Sequence, residues 1–368
     1  MKRVAIIYGG VGEEHEVSLL SALRVYSALE TTYILIPIYL SRGGHFYEQS
    51  APTEHMMRKE DPGSSLLVKA PFGFFHSDGS PLSIDVVVPV VHGTGGEDGL
   101  LQGFLRTTGI PCIASGVLAS AIGMHKSIAK TLAASHQVPV LPFTLLTGKD
   151  IRHYLDGSGV SLRIRDLLGY TGLAEPSYAK LSSALKERFG DHLIIKPDNE
   201  GSSIGVNELK AFDTEQLASV LRDVLSVSDR VLIEPFMPDR LEVECSVVED
   251  SGWIVSTPVI IDKGGEPLTY HTKYEVKESL DNPEAFIPEN ICSQVQHYCL
   301  TLAEILEVEG FARIDFFVGK HSGEIYFNEI NTLPGMTGRS VFPAMVESSG
   351  YPLRELLGML IERTLWNG

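Results

Sequence analysis

The densest collection of chemically capable residues lies near the carboxyl end. On Phe311-Ala312-Arg313-Ile314-Asp315-Phe316-Phe317, the two-residue period of an extended strand puts Arg313 and Asp315 on one face. Glu329 and Asn331 are also two apart, and His321-Ser322-Gly323 supplies a turn between the two runs. Pairing these strands brings Asp315, Glu329 and Asn331 together beside Arg313. Three hard oxygen donors without histidine or cysteine suit Mg²⁺ or Mn²⁺ better than zinc. Magnesium with so few protein ligands usually completes its shell with substrate phosphates. The same spacing also fits a plain salt-bridged hairpin in which Arg313 neutralises two carboxylates.

Ile194-Ile195-Lys196-Pro197-Asp198-Asn199-Glu200-Gly201-Ser202-Ser203-Ile204-Gly205 reads as a strand, a small polar loop and a second strand. Backbone N–H groups at Gly201, Ser202 and Ser203 can cradle phosphate oxygens, with Lys196 as a nearby point charge. The same letters fit the G-x-S-x-G elbow of serine hydrolases. That elbow needs a sharp strand-to-helix turn, whereas Ile204 to Leu209 has strand character. An ordinary Gly-Ser hairpin turn is a third reading. His92-Gly93-Thr94-Gly95-Gly96-Glu97-Asp98-Gly99 follows the β-branched run Asp85 to Val91. It therefore lies at the carboxyl end of a buried strand, where α/β sheets bind ligands. Glu14-His15-Glu16, after Gly9-Gly10, holds the equivalent place beyond the first strand. Each stretch equally fits a glycine-rich turn whose acids cap the next helix. No P-loop signature occurs, and Gly10-Val11-Gly12-Glu13-Glu14-His15 lacks the third glycine of the dinucleotide fingerprint.

These groups need a scaffold. The 368 residues, 43% hydrophobic, suffice for roughly two to three domains with buried cores. Lys plus Arg is 30 and Asp plus Glu 47, a formal charge of −17, which argues against a nucleic-acid backbone or an anionic membrane as partner. No apolar run approaches the ~18–20 residues of a bilayer span. The apolar stretch after Met1-Lys2-Arg3 is too short for a signal peptide. Cys112, Cys245, Cys292 and Cys299 form no C-x-x-C pair, consistent with a reducing compartment.

The pattern opens with strand Val4 to Tyr8, helix Glu16 to Leu29 and strand Tyr33 to Leu40, a doubly wound α/β beginning. Residues 41–80 read as irregular excursions, and 148–190 as a mixed stretch with short helical patches. Leu118 to Ser135 reads as one helix, Asp213 to Val227 and Ile291 to Leu306 as two more, and Leu353 to Trp366 as the last. Strands are expected at Leu193 to Lys196, Ile204 to Leu209, Arg230 to Pro235, Glu242 to Val248 and Trp253 to Ile261, followed by the hairpin from Phe311 to Ile330.

Taken together, these segments resemble D-alanine–D-alanine ligases, members of the ATP-grasp superfamily. His92-Gly93-x-x-Gly96-Glu97-Asp98-Gly99-x-x-Gln102-Gly103 resembles one family signature. Arg313-Ile314-Asp315 through Asn328-Glu329-Ile330-Asn331-Thr332-Leu333-Pro334-Gly335-Met336-Thr337-x-x-Ser340 resembles a second. Gly9-Gly10 with Glu14-His15-Glu16-Val17-Ser18, Lys196-Pro197 with Glu200-Gly201-Ser202-Ser203-x-Gly205, and Lys273-Tyr274 follow the family's order. The resemblance spans residues 4 to about 345.

It implies a doubly wound α/β domain (1–117), a central ATP-grasp α+β domain (118–233) and a C-terminal ATP-grasp α+β domain (234–368). It implies a reaction in which ATP phosphorylates one D-alanine carboxylate, and the amine of a second D-alanine displaces phosphate. Asp315, Glu329 and Asn331 match ligands of two Mg²⁺ or Mn²⁺ ions. Lys126, Lys196 and Lys273, with Ser202 and Ser203, match phosphate contacts. Glu234, Met237 and Glu242 match the nucleoside site. Arg313 and the Gly335 N–H match donors to the tetrahedral oxyanion. Glu14 matches the acid on the first substrate's ammonium and joins Ser202 and Tyr274 in a loop-closing trio. Ser340 and Val341 match the second carboxylate's contacts, and His92 a residue near the substrates. A homodimer, a cytoplasmic location and a role in peptidoglycan synthesis are implied too. Tyr270-His271-Thr272 depart from the pattern, which more often has an acidic residue and alanine before the lysine. A depsipeptide ligase using D-lactate, a serine hydrolase built on Ser203 and a non-catalytic nucleotide-binding module are the rival readings.

Overall fold

The computed structural model describes residues 1–49, 65–169, 176–261 and 287–367. Three sheets organise them. The first contains β1 (Arg3–Gly9), β2 (Ile34–Leu40), β3 (Phe46–Glu48), β4 (Ser65–Ala70), β5 (Gly73–Phe75) and β6 (Val86–Pro89), in the order β5-β4-β3-β2-β1-β6. β2, β1 and β6 run parallel, and β3 to β5 extend the sheet antiparallel. Their β-branched residues are buried on both faces, as a covered parallel sheet requires. Helix α1 (His15–Leu29) packs on one face, where Val25 and Leu29 meet Val4, Ile6 and Tyr8. Helix α2 (Leu100–Thr108) covers the other, setting Leu101 and Leu105 against Ala5 and Ile7. The strands at 46–48, 65–70 and 73–75 correct the expectation of an irregular 41–80. They are short, and Phe46, Leu67 and Phe74 bury singly, so no periodicity announces them.

Two helices follow where one was expected: α3 (Val117–Met124) and α4 (Lys126–Ser135). They part at His125, whose backbone is extended. The Lys126 N–H leaves the helical ladder and donates to the Asp198 carbonyl at 3.0 Å. The second sheet has strands β7 (Thr144–Thr147), β8 (His192–Pro197), β9 (Asn207–Lys210) and β10 (Arg230–Pro235), ordered β7-β10-β8-β9 and antiparallel throughout. Helices α5 (Gly148–Leu155), α6 (Leu162–Leu168), α7 (Tyr178–Phe189) and α8 (Thr214–Val227) supply its core with Ile151, Ile164, Leu185 and Leu221. They give the 148–190 stretch a packed helical form among its described residues. Thr147 with Asp150 and Asp213 with Gln216 form reciprocal capping boxes that start α5 and α8. β9 begins at Asn207, because residues 201–205 remain in the polar loop.

The third sheet has strands β11 (Arg240–Glu249), β12 (Trp253–Val255), β13 (Val259–Ile261), β14 (Phe311–Gly319) and β15 (Ile325–Asn331). Its order is β12-β11-β14-β15, with β13 also on β11. The expected strand Trp253 to Ile261 is thus two, interrupted where Ser256 turns its hydroxyl to the Ser246 N–H at 2.9 Å. Helix α9 (Glu289–Ile305) lays Val295, Cys299 and Leu302 on this sheet beside Ala129 and Ala133 of α4. Finally α10 (Val341–Ser348) and α11 (Leu353–Asn367) return to the first sheet, where Leu357 and Ile361 complete the core around Val4 and Ile6. Leu357 is fully buried. Leu357→Ala is expected to cost about 2–5 kcal/mol in urea unfolding, and a loss under ~1 kcal/mol would contradict this packing.

Candidate active site

In the hairpin, β14 and β15 pair antiparallel, with Arg313 opposite Asn331 and Asp315 opposite Glu329. All four side chains therefore share a face, as the period of two predicts. A register shift after Asp315 bends the strand at this point. Arg313 grips Asp315 through both oxygens, Nε to Oδ1 and Nη2 to Oδ2, each at 2.8 Å. Asn331 donates its amide to Asp315 Oδ2 at 3.2 Å. Glu244 of β11 lies 3.1 Å from Arg313 Nε. Burial opposes the Arg313 charge, but Asp315 and Glu244 outweigh it and push its pKa up. Glu244 lies on the neighbouring strand, where nothing in the local spacing singled it out.

Lys126, at the first position of α4, reaches two elements. Its Nζ donates to the Glu200 carbonyl at 2.6 Å and lies 3.2 Å from Glu329 Oε2. It thus joins the polar loop to the acid-bearing hairpin. Deeper in, Glu234 on β10 is fully engaged: Lys196 Nζ meets Oε1 and Lys130 Nζ meets Oε2, both at 2.7 Å. Lys196 also reaches Asn328 Oδ1 at 3.3 Å. Burial alone would raise the Glu234 pKa, but the two ammonium groups outweigh it and hold it at about 2. Burial acts on Lys130 in the opposite sense, holding its ammonium below the ordinary lysine value. The triad's net contribution is therefore smaller than the Glu234 shift alone suggests. Lys130 went unrecognised in the sequence, although its four-residue spacing from Lys126 places both on one helix face.

At the other end of the site, Glu14 precedes α1 and accepts from the Ser202 hydroxyl. Ser202 and Ser203 both have left-handed backbones, φ 49° and 58°, which turn the loop toward Glu14. Gly93 also has positive φ, and a β-carbon there would land on the Glu14 carboxylate. His92 is buried, with Nδ1 2.9 Å from the Leu333 carbonyl and Nε2 2.9 Å from Ser21 Oγ. Burial works against a charged ring, but Glu97 at 3.8 Å and Glu14 outweigh it and raise the His92 pKa. The Met336 N–H donates to Ser21 Oγ at 3.2 Å, and Arg24 Nη1 to the Thr337 carbonyl at 2.5 Å. These bonds pin the 333–340 loop onto the first domain. Within that loop, Ser340 Oγ accepts from the Thr337 N–H at 3.1 Å.

One cavity of about 540 Å³ gathers Glu14, His92, Lys126, Ser202, Arg313, Glu329, Asn331, Gly335, Ser340 and Val341. Asp315 touches it through Arg313. Lys196 and Glu234 lie behind it. Met237 and Glu242 form a separate group around Arg240, which donates to the Met237 carbonyl at 3.1 Å and lies 3.6 Å from Glu242. Ser203 is exposed on the loop. Lys273 and Tyr274 lie outside the described residues. Among the described residues, no group of three His, Cys, Asp or Glu side chains is arranged to hold a metal. The candidate set is instead two carboxylates and an amide.

Comparison with known proteins decides what such a site belongs to. The model of the D-ala D-ala ligase N-terminus matches residues 3–115, and that of the D-ala D-ala ligase C-terminus matches 169–362. The chain belongs to the D-alanine–D-alanine ligase family. Among its relatives, the D-alanine–D-alanine ligase of Borreliella burgdorferi strain ZS7 is 34% identical over 98% of this chain and 95% of its own length. The D-alanine-D-alanine ligase structure from Coxiella burnetii superposes with TM-score 0.79 at 26% identity, covering 100% of this chain and 96% of that one. The VanG D-Ala:D-Ser ligase from Enterococcus faecalis gives the same TM-score and identity over 99% of both chains. The two-part ATP-grasp fold behind the α/β domain is thus the family's. Within this family member, two consequences are testable.

Gly93→Ala should displace Glu14 and cut ligase turnover by about tenfold or more, measured by phosphate release. Unchanged turnover would refute the crowding argument. Glu234 has a depressed pKa, so its contribution is full above the ordinary value of 4.5 and is lost as pH falls towards about 2. Glu234→Gln is expected to flatten the fall of melting temperature across that window and to cost about 3–5 kcal/mol at neutral pH by stranding two ammonium groups. An unchanged acid profile would contradict the triad.

Proposed function

We propose that this chain uses ATP to join two D-alanines, with the roles distributed along the single cavity. The observation that carries this reading is Lys126, whose ammonium bridges the polar loop and the acid-bearing hairpin in a cavity closed at its far end by Glu14. Phosphoryl transfer needs cationic groups around the transferring phosphate and in-line positioning of the acceptor. Lys126 and Lys196, with the N–H groups of the Ser202–Ser203 loop, are placed for the first task. Glu14 is placed to take the ammonium of the first amino acid. Asp315, Glu329 and Asn331 offer the hard oxygen donors that suit Mg²⁺ or Mn²⁺, and would hold such ions at the hairpin face. Bound there, the metal would neutralise phosphate charge. Arg313, already charged and oriented by Asp315, and the Gly335 N–H are placed to meet negative charge on the tetrahedral carbon's oxygen when the second amine attacks. Ser340, at the start of α10, and Val341 are placed for the second carboxylate. Water exclusion around the acyl phosphate falls to the 198–206 loop held by Glu14 and Ser202.

Glu234, Met237 and Glu242 remain our proposal for the nucleoside side, with Glu234 acting through the lysines that hold it. The division at 1–117, 118–233 and 234–368 belongs to the same reading, supported by the three sheets. So do the homodimer and the cytoplasmic location. Among the described residues, no helix is long and apolar enough to cross a membrane.

The test is a product assay with D-alanine, D-serine and D-lactate offered side by side with ATP and Mg²⁺. D-alanyl-D-alanine with matching phosphate release is the expected result. Predominant depsipeptide or D-alanyl-D-serine would reassign the second substrate, and no D-alanine-dependent phosphate release would sink the reading. Asp315→Ala and Glu329→Ala should each lower kcat on the order of a hundredfold while retaining the folded circular dichroism spectrum. Full activity in both would overturn the metal assignment.

A further inference from the structure

Helix α4 carries Lys126 at its first position, yet it has no cap of its own: the His125 side chain makes no capping bond. The cap comes from another sheet. Asp198, just beyond β8, is fully buried, and its Oδ1 accepts the Ser127 N–H at 2.7 Å. Its Oδ2 accepts the Ser127 hydroxyl at 3.0 Å and Arg230 Nε at 2.8 Å, and lies 3.3 Å from His125 Nδ1. Its carbonyl accepts the Lys126 N–H at 3.0 Å, and its own N–H donates to the Arg230 carbonyl at 3.0 Å. Three consecutive residues, His125, Lys126 and Ser127, therefore hang on one aspartate. That aspartate also begins the loop carrying Glu200, whose carbonyl holds the Lys126 ammonium, and Ser202, which holds Glu14.

A carboxylate at a helix N-terminus is favoured by the macrodipole and by the open N–H groups there. Elsewhere it stabilises a helix; here it also sets where a functional lysine starts. We propose that Asp198 is a positioning residue for nucleotide binding: it caps α4 from the second sheet and locks Lys126 and the 198–206 loop into one unit, so that both meet the triphosphate together. This rests on the ligase reading above. Arg230 keeps the aspartate ionised and aimed, and bonds Ser127 Oγ at 3.3 Å through Nη2. Removing the carboxylate frees the α4 terminus from the loop without touching Glu14, Arg313 or the 333–340 loop. The defect should therefore fall on ATP rather than on D-alanine.

Steady-state kinetics on the full chain test this with Asp198→Ala, Asp198→Asn and Ser127→Ala, melting temperature being read alongside. Asp198→Ala should raise KM for ATP about tenfold, with KM for D-alanine within about twofold and kcat within about threefold. Asp198→Asn, which keeps an acceptor for the Ser127 N–H, should show a smaller rise, and Ser127→Ala the smallest. If Asp198→Ala does not fold, the other two decide. Unchanged KM for ATP in the folded variants overturns the proposal, as does an equal rise for both substrates. A wild-type chain that forms no dipeptide would fail the ligase reading instead, so the two failures are distinguishable.

Discussion

A buried carboxylate between two lysines holds the nucleotide-binding half of the molecule together. Glu234 belongs to the second sheet, Lys130 to a helix packed on the third, and Lys196 to β8, from which it also reaches Asn328 on β15. Hydrophobic contacts would let these layers slide; three charges sealed from water do not. Any displacement that separates one ammonium from Glu234 leaves a charge unpaired in low dielectric, which costs several kcal/mol. The gap between the two sheets is thereby set to within the tolerance of a hydrogen bond. Lys126, one turn before Lys130 on the same helix, inherits that precision.

The first domain is joined to this frame by polar contacts. His92 and Ser21 hold the backbone at Leu333 and Met336, and Arg24 holds Thr337. Glu14 holds Ser202 from the opposite side. The cavity wall is thus built from side chains far apart in sequence but fixed to backbone atoms, which restricts where a substrate can sit. The Gly93 backbone makes room for Glu14 by having no side chain, a steric condition as demanding as any of the charged contacts.

Much of this was legible in the sequence, for reasons that differ by residue. Arg313, Asp315, Glu329 and Asn331 were readable because a strand's period of two is rigid, and pairing them needed only a turn. Glu14, His92 and Ser202 were readable as motif members, but their meeting place depends on long-range packing that no local pattern encodes. Lys130 and Glu244 were missed because a lone lysine on a helix and a glutamate on an alternating strand look like solvated positions; burial alone distinguishes them. The break at His125 was invisible because Lys126 gives up its helical bond for a carbonyl more than seventy residues away. The short strands at 46–48 and 73–75 were hidden because three residues are too few for a period to declare itself.

The closing helix has a consequence for how the molecule is made. Leu357 and Ile361 complete the core around Val4 and Ile6, so the first strand synthesised waits for the last helix before that face is covered. Domains generally fold as units in order of emergence from the ribosome. Here the amino-terminal sheet can form its hydrogen-bonded ladder early but keeps an oily face open throughout translation. The two ATP-grasp sheets, whose cores are drawn from nearer segments, can close before it. The nascent chain therefore passes through a stage in which its finished middle is flanked by an unsealed beginning, and release of the carboxyl terminus is the step that makes it whole.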